Sequence, residues 1–137
     1  MSTQTCSCPC GSTELTITAE PLLQFHCHCD DCQRVSNGAY VSVALFPKAA
    51  VTVSKGQAQT WTYKALPRSR CSECGCLLYG DAPGQAVRGV YAGLLPDGFQ
   101  AQFHIQCQYA RLPIKDDLPH YQAFPAQFGG SDATVDW

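Results

Sequence analysis

Ten cysteines in a chain of 137 residues fall largely into short chelating runs. Cys8-Pro9-Cys10-Gly11 lies near the start, Cys27-His28-Cys29-Asp30-Asp31-Cys32 follows, and Cys71-Ser72-Glu73-Cys74-Gly75 sits in the middle. Thiolates spaced one or two residues apart suit a soft tetrahedral ion, because a tight turn can bring both sulfurs within about 2.3 Å of zinc. In a secreted chain such cysteine density would suggest a disulfide framework, whereas in a reducing compartment it suggests metal ligation.

The first and third runs together offer four sulfurs. Cys8, Cys10, Cys71 and Cys74 are expected to close a structural zinc site, with Gly75 supplying the positive φ that completes the knuckle. Four thiolates leave that site with net negative charge, which backbone N–H groups and the neighbouring Arg68 and Arg70 could offset. The competing reading is a redox dithiol at Cys71 and Cys74, but no βαβ pattern surrounds it.

Cys27, Cys29 and Cys32 place three sulfurs in six residues, with no obvious fourth beside them. A zinc held by three protein ligands keeps a position for substrate, and three thiolates weaken its acidity toward water and favour a soft sulfur there. Thiol activation therefore fits better than peptide hydrolysis. Cys6, Cys76, Cys107 or a histidine could instead complete a second closed site. Otherwise Cys6, Cys76 and Cys107 are buried or spare thiols.

Other candidates are expected to be structural. His28, one residue from two ligands, should point away from the ion. His26 and His104 lie in strand-like runs as packed or hydrogen-bonded groups, and His120 is expected to be exposed. Asp30 and Asp31 are expected to cap the turn after Cys29. Arg34 is expected to be solvated, and Trp61, Tyr63 and Tyr79 to form core or cleft wall.

The elements that must position these residues are strands. Alternating or β-branched runs occur over 14–19, 24–27, 39–46, 51–53, 59–63, 87–93 and 102–107, and only a turn of helix is expected after Cys29. Pro47, Gly56, Pro67, Gly80, Pro83-Gly84 and Pro96-Asp97-Gly98 punctuate them as turns. One mainly β domain over 1–128 is expected, with 129–137 as a flexible C-terminal tail. With 45% apolar residues the chain can bury one core, and its net charge of -2 without a basic run argues against nucleic acid. From Met1 to Cys10 there is no leader pattern, and no apolar run would span a membrane, so a soluble cytoplasmic protein is expected.

The order Cys-x-Cys-Gly, Cys-His-Cys-x-x-Cys, Cys-x-x-Cys-Gly closely resembles the glutathione-dependent formaldehyde-activating enzyme and centromere protein V family. The strand 39–46, Val51-Thr52-Val53 followed by Gly56, Ala92-Gly93-Leu94, His104-Ile105 and Asp116-Asp117-Leu118-Pro119-His120-Tyr121 extend the likeness. The resemblance implies a β-tent fold of antiparallel sheets stapled by the zinc of Cys8, Cys10, Cys71 and Cys74. It also implies a catalytic zinc at Cys27, Cys29 and Cys32, two ions per chain in all. The implied activity is that of a carbon-sulfur lyase forming S-(hydroxymethyl)glutathione from formaldehyde and glutathione. Gln33 and Leu112-Pro113 depart from the family's usual residues. The alternative function is a non-catalytic zinc-stabilised binding module, whose expected basic tail or surface this sequence lacks.

Overall fold

The computed structural model describes residues 3–96 and 98–137. Met1, Ser2 and Asp97, the last within the expected Pro96-Asp97-Gly98 turn, lie outside the described residues. The chain forms two compact units, one of Met1–Leu23 with Ala44–Phe99, the other of Gln24–Val43 with Gln100–Trp137.

In the first unit, β1 (Gln4–Ser7), β2 (Glu14–Ile17) and β5 (Val51–Lys55) form an antiparallel sheet in the order β1-β2-β5. Alternation along β2 sends Leu15 and Ile17 inward, where they are fully buried with Phe46, Val51, Leu78 and Val90. A meander of β6 (Ala58–Tyr63), β7 (Leu66–Cys71), β8 (Leu77–Asp81) and β9 (Val87–Tyr91) pairs antiparallel in sequence order. Gly56, just before β6, takes φ 75°, and a Cβ there would meet the Ser12 carbonyl, its carbon only 2.9 Å away. Glycine is thus required both for the backbone and for the close approach.

Three expectations change here. Pro67 and Gly80 are strand residues, not turns: Pro67 pairs with Thr62, and Gly80 pairs with Arg68 and Gly89. The reversal between β6 and β7 instead uses Lys64 at φ 58°. Trp61 and Tyr63 stand outside the core. They are 54% and 40% exposed on β6, the end strand of its sheet. Tyr79 is buried as expected, with the Arg88 guanidinium 4.0 Å from its ring centre.

Arg88 also binds both oxygens of Asp81, at 2.7 and 2.9 Å, and donates to the Val51 carbonyl. This fork holds the Asp81 carboxyl below its ordinary value of 3.8, its hydrogen bond to Arg88 outweighing burial. A lowered acid contributes stability that is complete above the unfolded pKa and lost as pH falls through the folded one. Asp81→Asn is expected to cost about 1.5–3 kcal/mol near neutral pH, and the gap to the parent should close in denaturant melts below pH 3.8. A gap that stays constant down the acid series would show that the fork contributes no such charge-dependent term.

In the second unit β3 (Leu23–Cys27) pairs with β10 (Phe103–Ile105) in parallel, so the sheet that holds them is mixed while β1-β2-β5 is antiparallel. The register sets His26 beside His104 and Cys27 beside Ile105. Phe25, Phe103 and Phe128 stack and meet edge-on at 5.9 Å. After β3 comes α1 (Asp30–Ser36), which ends at Asn37 in the left-handed conformation, and then β4 (Val41–Pro47) leads back to the first unit. The last residues fold onto this unit. Thr134 bridges to Tyr121, Val135 N–H donates to the His120 carbonyl at 2.9 Å, and the Trp137 ring lies 4.7 Å from that of His120.

Candidate metal centres

Cys8 and Cys10 flank a turn just after β1, and Cys71 ends β7, with Cys74 three residues on. The four sulfurs lie within 4.8 Å of one another. Cys8 Sγ is 3.5 Å from Cys10 Sγ and 3.6 Å from Cys71 Sγ, and Cys10 to Cys71 is 3.9 Å. A tetrahedron with bonds of about 2.3 Å has edges of about 3.8 Å, so the spacing fits zinc and lies far outside the roughly 2.05 Å of a disulfide. Cys71 is the sulfur prepared as an anion, whereas the Cys74 thiol is raised to about 11. Cys71 Sγ receives the N–H groups of Glu73 and Cys74 and the hydroxyls of Ser12 and Thr13, at 3.2 to 3.5 Å. Chiefly through the Cys74 N–H, then the two hydroxyls, its thiol falls to about 5. Gly75 at φ 77° closes the knuckle by donating to the Cys71 carbonyl, and Arg70 donates to the Gly75 carbonyl at 2.8 Å. Arg68, in contrast, is buried in β7.

Cys27, Cys29 and Cys32 also converge within 4.8 Å, with Cys27 Sγ and Cys32 Sγ 3.6 Å apart. The local chain explains this. β3 delivers Cys27, Cys29 is the N-cap of α1 and accepts the Cys32 N–H at 3.2 Å, and Cys32 then lies in the first turn. The cap is thus Cys29 and not Asp30 or Asp31, which occupy the first turn. Hydrogen bonding with the Cys29 sulfur, then with that of Cys32, and then burial push the Cys27 thiol well above 9.0. Three sulfurs cannot all ionise at such spacing without a cation between them, so the donor set suits one.

Among the described residues no fourth His, Cys, Asp or Glu joins this group. Cys6, Cys76 and Cys107 stand outside both clusters, and burial pushes the Cys107 thiol up to about 12. Cys29 is the least buried of the three.

Sequence reasoning missed the parts that hold this loop. Gln33 is buried, its Nε2 donating to the carbonyls of His28 (2.7 Å) and Tyr109 (2.9 Å), while Arg111 Nε donates to its Oε1 at 2.7 Å. His28 N–H donates to the Ile105 carbonyl, and its fully buried ring turns to His104, with Nε2 2.8 Å from Nδ1. Burial, and then the neighbouring histidines, lower the His28 pKa to about 4, so its ring is neutral near pH 7. Arg34 is exposed and stands 3.7 Å from Asp30. His120 is buried, contrary to expectation, because Trp137 covers it.

A mainly β protein with two convergent cysteine clusters, each able to hold a metal ion, defines the class. Residues 3–109 match the family described as glutathione-dependent formaldehyde-activating enzyme, and the chain belongs to that family. A curated protein of Emericella nidulans named for glutathione-dependent formaldehyde activation is 27% identical over 78 residues, 55% of this chain. The matched stretch spans only 40% of that relative's length. The crystal structure of a Rhodobacter sphaeroides protein superposes with a TM-score of 0.58 at 18% identity, covering 69% of this chain and 90% of that one, a likeness of fold. No helix among the described residues is long and apolar enough to cross a membrane.

Proposed function

We propose that this chain is a zinc-dependent carbon-sulfur lyase of the S-(hydroxymethyl)glutathione synthase type, working on glutathione or a related thiol adduct in the cytoplasm. The observation that carries the reading is the three-sulfur group at Cys27, Cys29 and Cys32, with no fourth protein ligand among the described residues. Cys8, Cys10, Cys71 and Cys74 would hold a structural zinc, and Cys27, Cys29 and Cys32 a catalytic one. When bound there, zinc supplies a soft Lewis acid that lowers the pKa of an incoming thiol.

The chain's own residues do the positioning. Cys27 and Cys32 form the buried floor, and Cys29, nearer solvent, is held by the Cys32 N–H. Gln33 ties the first turn of α1 to the carbonyls of His28 and Tyr109, fixing the loop that carries all three sulfurs. Such fixing keeps a thiol beside the carbonyl carbon it attacks. Overall the S–H bond of the thiol breaks, a C–S bond forms to formaldehyde, and the proton ends on the former carbonyl oxygen. The reverse reaction returns both.

The test is exchange spectroscopy by NMR on glutathione and formaldehyde at equilibrium with the adduct. Zinc-loaded protein is expected to accelerate the exchange well above the uncatalysed rate, and prior stripping of the metal should abolish the effect. Exchange that stays at the uncatalysed rate, with zinc coordination by X-ray absorption unmoved by glutathione, would favour a binding module instead.

A further inference from the structure

We infer that His104, Asp116 and His120 form a third metal site, of nitrogen and oxygen donors, that binds a divalent first-row transition ion such as zinc, iron(II) or cobalt(II). The three ligand atoms lie within 4.8 Å of one another. His104 Nε2 is 2.8 Å from Asp116 Oδ2, and His120 Nε2 is 3.0 Å from Oδ1 of the same carboxylate. The two rings lie side by side, their centres 4.6 Å apart, so both present Nε2 to one carboxylate. Two imidazoles and a carboxylate are a borderline donor set, distinct from the soft sulfur of the two cysteine clusters.

Three further features point to an ion and not to a simple hydrogen-bonded trio. His120 Nε2 is buried and makes no hydrogen bond among the described residues, its 3.0 Å contact with Asp116 Oδ1 lying outside hydrogen-bond geometry. Buried polar atoms in folded proteins are rarely left so. His104 is also braced from behind as metal-bound histidines are, its Nδ1 lying 2.8 Å from His28 Nε2. That bond fixes ring orientation and directs Nε2 toward the carboxylate. The frame around the group is rigid as well. His104 N–H donates to the Pro119 carbonyl, Tyr121 N–H to the His104 carbonyl and Val135 N–H to the His120 carbonyl, at 2.9 to 3.0 Å.

Access comes through Asp116, whose side chain is 32% exposed, while both histidines are enclosed and Trp137 covers their rings. Asp116 and His120 fall outside residues 3–109, the stretch that the family description matches. The inference does not depend on the thiolate sites being loaded or active.

Cobalt(II) separates the three groups, because sulfur ligands give an intense near-ultraviolet charge-transfer band that nitrogen and oxygen ligands lack. The full chain and its His120→Gln and Asp116→Asn variants are loaded with cobalt, desalted, and assayed for bound metal and for that band. The expected result is about one cobalt fewer per chain in each variant, with the charge-transfer intensity unchanged. Equal cobalt content in parent and variants would overturn the site and leave a structural hydrogen-bond cluster. Cobalt lost together with the band would overturn it too, by assigning the missing ion to thiolates. Should His120→Gln fail to fold, Asp116→Asn, altered at a partly exposed position, decides between these outcomes.

Discussion

Cys71→Ser is expected to unfold the first unit outright. Cys71 is 1% exposed, and its sulfur is the meeting point of Cys8, Cys10, two backbone N–H groups and two hydroxyls. Structural zinc bound by cysteines contributes on the order of 10 kcal/mol to the folded state, comparable to the whole stability of a domain this size. Serine is a poor zinc ligand and would leave those four donors facing a hard, un-ionised hydroxyl. Circular dichroism melts of the zinc-loaded variant should show no cooperative transition, and proton NMR should lose its dispersed amide signals. A cooperative melt within a few degrees of the parent would reject a folding role for the cluster.

The second large effect is expected at Cys29 and has the opposite character. Cys29→Ser should reduce thiol-adduct exchange by at least about 100-fold while leaving the protein folded. Its sulfur would have two tasks, ligand in the three-sulfur group as proposed and cap of α1 through the Cys32 N–H. Serine takes over the second, being among the best N-cap residues, but not the first. Thermal stability should therefore change by no more than about 1 kcal/mol. If exchange persisted at the parent rate, Cys29 would be a structural cap alone. If the variant unfolded as Cys71→Ser is expected to, the division between a staple and a working site would be lost.

Much of this was legible in the sequence because ligand spacing is local. The turn geometry that brings Cys27, Cys29 and Cys32 together is set within six residues, and the Cys71-to-Gly75 knuckle within five. Alternation likewise marked β2, β4, β5, β6 and β9. It failed for β7, where Arg68 and Ser69 are buried and Pro67 sits in the strand, so the segment reads as polar and broken. It failed also for Trp61 and Tyr63, since apolar pattern cannot tell an end strand from an inner one. His120 looked exposed because its cover, Trp137, comes from residues whose glycines and polar side chains suggest a loose tail. The burial of Gln33 depends on Tyr109 and Arg111, distant partners that only the parallel pairing of β3 with β10 brings near.

The two cysteine clusters differ most in how far apart their members stand along the chain. Cys27 and Cys32 are five residues apart, whereas Cys8 and Cys71 are separated by 63. Loop closure for the longer span carries a larger entropy cost, and during synthesis Cys8 and Cys10 must wait for their partners to emerge. The three-sulfur loop, by contrast, is complete early, so a thiophilic ion can be captured there before the staple exists. If both clusters hold ions as proposed, a nascent chain would acquire the one at the three-sulfur loop first and the one that locks its fold last, and metal supply during translation would then help to set how much folded protein is made.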